Sequence, residues 1–102
     1  MIVTIGRIVH YILSEQDAEN INRRRVAKPY DPGWPPGAQA HVGNFVKAGE
    51  IVPMIVCVVW TNEPNSGVNG QAFLDGNDSL WVTSAQQGTT PGTWQWPKRN
   101  DE

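Results

Sequence analysis

The run Ile55-Val56-Cys57-Val58-Val59 lies inside a longer apolar stretch, residues 50–60, and it constrains the fold more than any other part of the chain. Its β-branched residues favour a strand over a helix. It is apolar on both sides, which predicts a central strand. Pro53 places the start of that strand at an edge or a bulge, because proline cannot donate to a ladder. The stretch is too short to cross a membrane and is broken by Pro53. Cys57 is the one cysteine of the chain, so an intramolecular disulfide is excluded. Within this run it reads as a buried, inert thiol in a reduced, cytosolic setting.

With 102 residues the chain can bury one modest core, and residues 1–97 read as a single domain. Residues 2–13 contain the first strand, with a break at Gly6. Residues 39–46 predict a second strand, and the turn Lys47-Ala48-Gly49 leads into residues 50–60. Residues 68–74 and 80–85 form a hairpin through Asp75-Gly76-Asn77-Asp78. A short last strand over residues 93–96 is closed by Pro97, and residues 98–102 are a charged tail. No leader segment is read at the start of the chain. Five or six short strands with one inserted helix predict a mainly β (α+β) fold: a small antiparallel SH3-like barrel, with an OB-like barrel or an open curled sheet as the alternative.

The helix is predicted over residues 15–27. Ser14 and Asp17 have capping-box spacing, acidic residues sit in the first turn and Arg23, Arg24 and Arg25 in the last. Ala18, Ile21, Asn22 and Arg25 share one face. That stripe is thin for a helix lying on a core, so the helix either covers little core or also meets something polar. The Pro-rich residues 29–37 read as a conformationally restricted loop.

No catalytic constellation emerges. His10 and His41 lack an evident nucleophile or acid partner, and with Cys57 they show no metal-ligand spacing. Asp75, Asn77 and Asp78 resemble the start of a calcium loop but lack its glycine and distal glutamate, so turn chemistry explains them. The net charge of −2 argues against a protein that coats DNA or RNA. What remains is recognition chemistry. Trp94 and Trp96 can point to one face, either capping the core or forming a stacking platform, and Trp94 is the better candidate for ligand because Pro97 suits Trp96 to a packed position. Arg25, with Arg23, can pair with phosphate, while Arg24, about 100° round the helix, is expected to matter less. Tyr11, Asn22, His41, Asn44, Gln71 and Ser84 can hydrogen-bond a polar ligand, and Gly43 would let backbone approach it closely. Five tryptophans and the thin helix face also favour a homo-oligomer, a dimer or tetramer.

The segments Gly6-Arg7-Ile8-Val9-His10-Tyr11-Ile12-Leu13-Ser14-Glu15-Gln16-Asp17-Ala18-Glu19, Asn22-Arg23-Arg24-Arg25, Gly37-Ala38-Gln39-Ala40-His41, Leu74-Asp75-Gly76-Asn77-Asp78 and Gly92-Thr93-Trp94-Gln95-Trp96-Pro97 together resemble a widespread family of small bacteriophage and prophage proteins. The family usually has His between the two tryptophans. Here the residue is Gln95, so no imidazole role carries over to that position. The family is in turn similar to phage sponge proteins that sequester cyclic nucleotide immune signals such as 3′3′-cGAMP. That resemblance implies binding of a cyclic di- or trinucleotide without hydrolysis, no cofactor, sites at subunit interfaces and action in the host bacterial cytoplasm. A phage structural or accessory protein, such as a capsid decoration or head-completion subunit, and an inhibitor of a host protein are the competing readings. Both would act through protein contacts alone.

Overall fold

The computed structural model describes residues 1–27, 32–37 and 39–98. Residues 29–31 of the Pro-rich loop and 99–102 of the charged tail therefore lie outside the described residues. The elements run β1 (Ile8–Ile12), α1 (Glu15–Val26), β2 (Ile51–Val59), β3 (Val68–Phe73), β4 (Ser79–Ala85) and β5 (Trp94–Gln95). The strands form one antiparallel, curled sheet in the order β4-β3-β2-β1-β5. The chain just after β4 meets the other edge through a parallel bridge between Gln87 and Trp94. The fold is thus mainly β with one helix. No helix among the described residues is long and apolar enough to cross a membrane.

The apolar strand is central in the strand order, with β1 on one side and β3 on the other. Backbone bonds from Leu13 to Glu50 and from Val56 to Arg7 set the parity of the β1–β2 ladder. The nitrogen of Pro53 therefore faces away from β1, on the side where pairing with β3 starts only at Met54. The irregularity in β2 lies elsewhere, as a register shift between Val56 and Val58. Val52, Met54 and Val56 point into the core, whereas Ile51, Pro53 and Cys57 are exposed. The expected burial of Cys57 is thereby corrected. A central strand is covered at its edges by neighbours, but only one face of this sheet is covered, so alternate residues of an all-apolar strand still meet water.

The core is built from Val9, Tyr11 and Leu13, the inward residues of β2, Val68 and Ala72 of β3, Leu80 and Val82 of β4, and Trp94. The helix adds Ala18 and Ile21. Its start follows the sequence pattern: the Ser14 side chain accepts from the Asp17 backbone, and the Ser14 backbone donates to the Asp17 carboxylate. The Tyr11 hydroxyl donates to the same carboxylate oxygen. Burial, followed by that bond and the Asp17 charge, raises the Tyr11 hydroxyl above its ordinary pKa.

Residues 39–46 do not form the expected strand. They make a single bridge, Gly43 to Gly76, and side chains take the place of a partner strand. The Asn22 amide donates to the Val46 carbonyl at 2.9 Å and its oxygen accepts from the Val46 N–H at 2.8 Å. The Asn77 side chain likewise accepts from Val42 N–H and donates to the Ala40 carbonyl. Backbone groups satisfied in this way have no need of a ladder.

Candidate functional site

The C-terminal half of α1, residues 39–46 and the β3–β4 turn converge on one carboxylate. Arg25 clamps Asp78 with two bonds, Nη1 to Oδ2 at 2.8 Å and Nη2 to Oδ1 at 3.0 Å. Its Nε donates to the Asn44 carbonyl at 3.1 Å. The two charged side chains are 2% and 3% exposed, so this is a buried ion pair. Arg24 Nη1 reaches Asp78 Oδ2 at 3.1 Å and the Ser79 carbonyl at 2.9 Å, and its side chain remains 29% exposed. Burial alone would raise the Asp78 carboxyl, but hydrogen bonds from Arg25 and then Arg24, with their charges, hold it below the ordinary carboxylate value. His41 Nδ1 lies 3.9 Å from Asp78 Oδ2 and has no hydrogen-bond partner.

Glycine is required where the 39–46 segment crosses the turn. A Cβ at Gly43 would strike the Asp75 carbonyl, and one at Gly76 would lie 2.5 Å from the Val42 carbonyl and 3.0 Å from the Arg25 guanidinium. Gly43 therefore allows close approach of two backbones, not the expected approach to a ligand.

Beside this knot opens a cleft of about 480 Å³, lined by Asn20, Arg23, Arg24, Trp34, Gln39 and His41 along with Ala27. Arg23 bonds Asn20 at 3.4 Å and has no carboxylate partner among the described residues. Three adjacent guanidinium groups stand here, and those of Arg24 and Arg25 meet the Asp78 carboxylate. Two of the three, an imidazole, an indole and two carboxamides line a cavity of the size that holds small ligands.

The expected site residues fall into two groups. Asn22, Arg25, His41 and Asn44 gather around the knot, but only His41 lines the cleft. Asn22 and Arg25 have structural partners, and the Asn44 amide donates to the Asp75 carboxylate. Of the two arginines weighed against each other, Arg25 is enclosed and ion-paired, whereas Arg24 lines the cleft.

Tyr11 and Trp94 are paired across β1 and β5, away from the cleft. Trp94 is fully buried, its Nε1 donating to the Ser66 carbonyl at 3.1 Å, and so it is a core residue rather than a stacking surface. Trp96 meets it edge to face with ring centroids 5.5 Å apart, and the Arg7 guanidinium lies 5.2 Å from the Trp96 ring. Ser84 lies on β4 and Gln71 on β3, where the Gln71 side chain accepts from the Ser79 hydroxyl at 3.4 Å.

Arg24, Trp34 and Asp78 were not singled out from the sequence as site residues. Trp34 gave no periodic signal, because it lies in an irregular loop. No group of His, Cys, Asp or Glu among the described residues could hold a metal ion. No protein-family model matches the chain, and no curated protein or solved structure is significantly similar to it.

Proposed function

We propose that the cleft between α1 and residues 34–41 binds a phosphorylated aromatic ligand, a cyclic di- or trinucleotide such as 3′3′-cGAMP, and holds it without hydrolysis. The observation that carries this reading is the pair of guanidinium groups, Arg23 and Arg24, on the wall of one cleft with an indole and an imidazole. Arg25 is turned inward to Asp78, whereas Arg23 and the partly exposed Arg24 line the cleft, where they can meet phosphate beside an indole. His41 offers a further donor when protonated. The resemblance to phage sponge proteins supports the same reading, and the proposal includes sequestration in the host cytoplasm and a homo-oligomer that encloses more of the ligand than one chain can. The bridge from Gln87 to Trp94 supports a minimal barrel of the SH3-like kind as the scaffold.

Calorimetry with 3′3′-cGAMP and a panel of cyclic di- and trinucleotides tests this. Binding is expected to weaken about 10- to 150-fold in Arg23→Ala or Arg24→Ala, corresponding to about 1.5–3 kcal/mol for a charge-assisted bond. Ligand released by denaturation should be intact by mass spectrometry. Absence of micromolar binding across the panel, or wild-type affinity in both variants, overturns the proposal.

A second reading has its own observation. The outer face of the sheet exposes Ile8, Ile51, Phe73 and Trp81, an apolar surface suited to protein contacts in a phage particle or between subunits. Detection of the protein in purified virions would favour that reading.

A further inference from the structure

A second cleft, of about 530 Å³, lies at the opposite end of the β3–β4 hairpin from the Arg–Asp knot. Trp60, Thr61, Glu63, Asn65, Ser84 and Gln86 line it. Trp60 is 59% exposed, yet it is anchored: its Nε1 donates to Asn69 Oδ1 at 3.2 Å. The same oxygen accepts from the Ser84 backbone N–H at 2.7 Å. Ser84 has φ +53°, the sole positive φ at a non-glycine among the described residues, and it sits where the β3–β4 register shifts between Val68 and Gly70. Strain of this kind persists only where surrounding bonds over-determine it, and it clusters at ligand clamps.

The rest of the wall is also fixed. A Cβ at Gly67 would lie 2.6 Å from the Gln86 Nε2, so glycine makes room for that carboxamide to lie against the chain. The Gln86 carbonyl accepts from Trp94 N–H. The buried Ser66 hydroxyl accepts from Thr61 N–H, and its carbonyl takes the Trp94 indole N–H. The cleft is therefore tied to the core through Trp94.

Its chemistry differs from that of the α1 cleft. Among the described residues no Lys, Arg or His lines it, and Glu63 is its one ionisable side chain. Phosphate would meet a negative charge there. A flat, anchored indole face edged by hydroxyls, carboxamides and one carboxylate suits a ring with an apolar C–H face and hydroxyls around its rim. We propose that this cleft is a binding site for a neutral saccharide. The inference is independent of the nucleotide reading, which uses other residues at the far end of the sheet.

The test is titration of the full ¹⁵N-labelled chain with cellotriose, maltotriose and N,N′-diacetylchitobiose at millimolar concentration, with AMP as the nucleotide comparison. The readouts are the backbone amide resonances of the residues that line the cleft and, where Trp60 is present, its indole N–H, assigned by its loss in Trp60→Phe. The expected result is a saturable shift with at least one saccharide, weakened about tenfold or more in Trp60→Ala, the size of one lost stacking partner. Gln86→Ala should weaken it as well, and it serves as the second variant should Trp60→Ala not fold. No shift with any saccharide overturns the proposal, as does a saccharide affinity unchanged in the folded variants. A stronger response to AMP than to every saccharide overturns the assigned ligand class. A cyclic nucleotide bound at the α1 cleft would perturb the Trp34 indole instead, so the two proposals fail separately.

Discussion

Asp78→Asn keeps the shape of the side chain and removes its charge. In the native protein Asp78 and Arg25 are joined by bonds of 2.8 and 3.0 Å, with side chains 3% and 2% exposed. The substitution leaves a buried guanidinium facing a neutral amide, and breaking one side of a buried pair costs about 3–5 kcal/mol. Arg25 keeps its bond to the Asn44 carbonyl, so the lower end, about 3 kcal/mol, is expected. A chain of this length has a total stability of about 5–15 kcal/mol, so the loss is a large share. Arg24→Ala removes a partly exposed pair and should cost less than about 1 kcal/mol. Urea unfolding at neutral pH, followed by circular dichroism, measures both. The sign of the pH dependence follows from the lowered Asp78 pKa. Its contribution is complete above the ordinary carboxyl value of 3.8 and is lost as pH falls through the lower folded value. The gap between wild type and Asp78→Asn should therefore narrow on acidification below that range. A neutral-pH loss under about 1 kcal/mol, or one no larger than that of Arg24→Ala, would refute the reasoning.

Cys57 is exposed, so it should react stoichiometrically with a disulfide reagent such as DTNB in the native protein, and a requirement for denaturant would show the outer face to be covered. Trp94→Ala should cost about 3–5 kcal/mol in urea unfolding, since the indole is wholly buried. Trp81→Ala, at a position 67% exposed, should change stability by about 0.5 kcal/mol or less, and the reverse order of the two would contradict the placement of the core.

The elements legible in the sequence are those specified locally. Ser14 and Asp17 carry the helix start in four residues, and the turn at residues 75–78 carries the hairpin. Residues 39–46 were misread because their alternation resembles a strand, while the groups that satisfy their backbone, Asn22 and Asn77, lie on two other segments. Cys57 was misread because an all-apolar strand gives no periodicity from which to tell covered from uncovered faces. The role of Trp94 was open for a similar reason: spacing places Trp94 and Trp96 on one side of a strand but does not say whether that side faces the core. Trp60 passed as the end of the central strand, since nothing local marks an indole that Asn69 will anchor in the open.

The adjacent arginines show why a site can be half visible in sequence. Positions 24 and 25 differ by about 100° round the helix, enough to send one guanidinium into the fold and leave the other at its edge. Both meet Asp78 Oδ2, but Arg25 also holds Oδ1. A phosphate that draws Arg24 away therefore breaks its bonds to Asp78 and the Ser79 carbonyl and leaves the bidentate Arg25–Asp78 pair in place. The fold does not have to open for Arg24 to change partners. Arg24 can thus exchange a carboxylate for a phosphate while Arg23 adds a second charge beside it. Binding through this cleft should accordingly fall with rising salt, as expected for contacts between accessible charges. The Arg25–Asp78 pair, enclosed on every side, should be nearly indifferent to the same change. Salt thus separates the two roles in one wild-type protein: ligand affinity moves with ionic strength while the stability supplied by the buried pair stays. A nucleotide affinity that is flat with salt would place the ligand somewhere other than against Arg23 and Arg24.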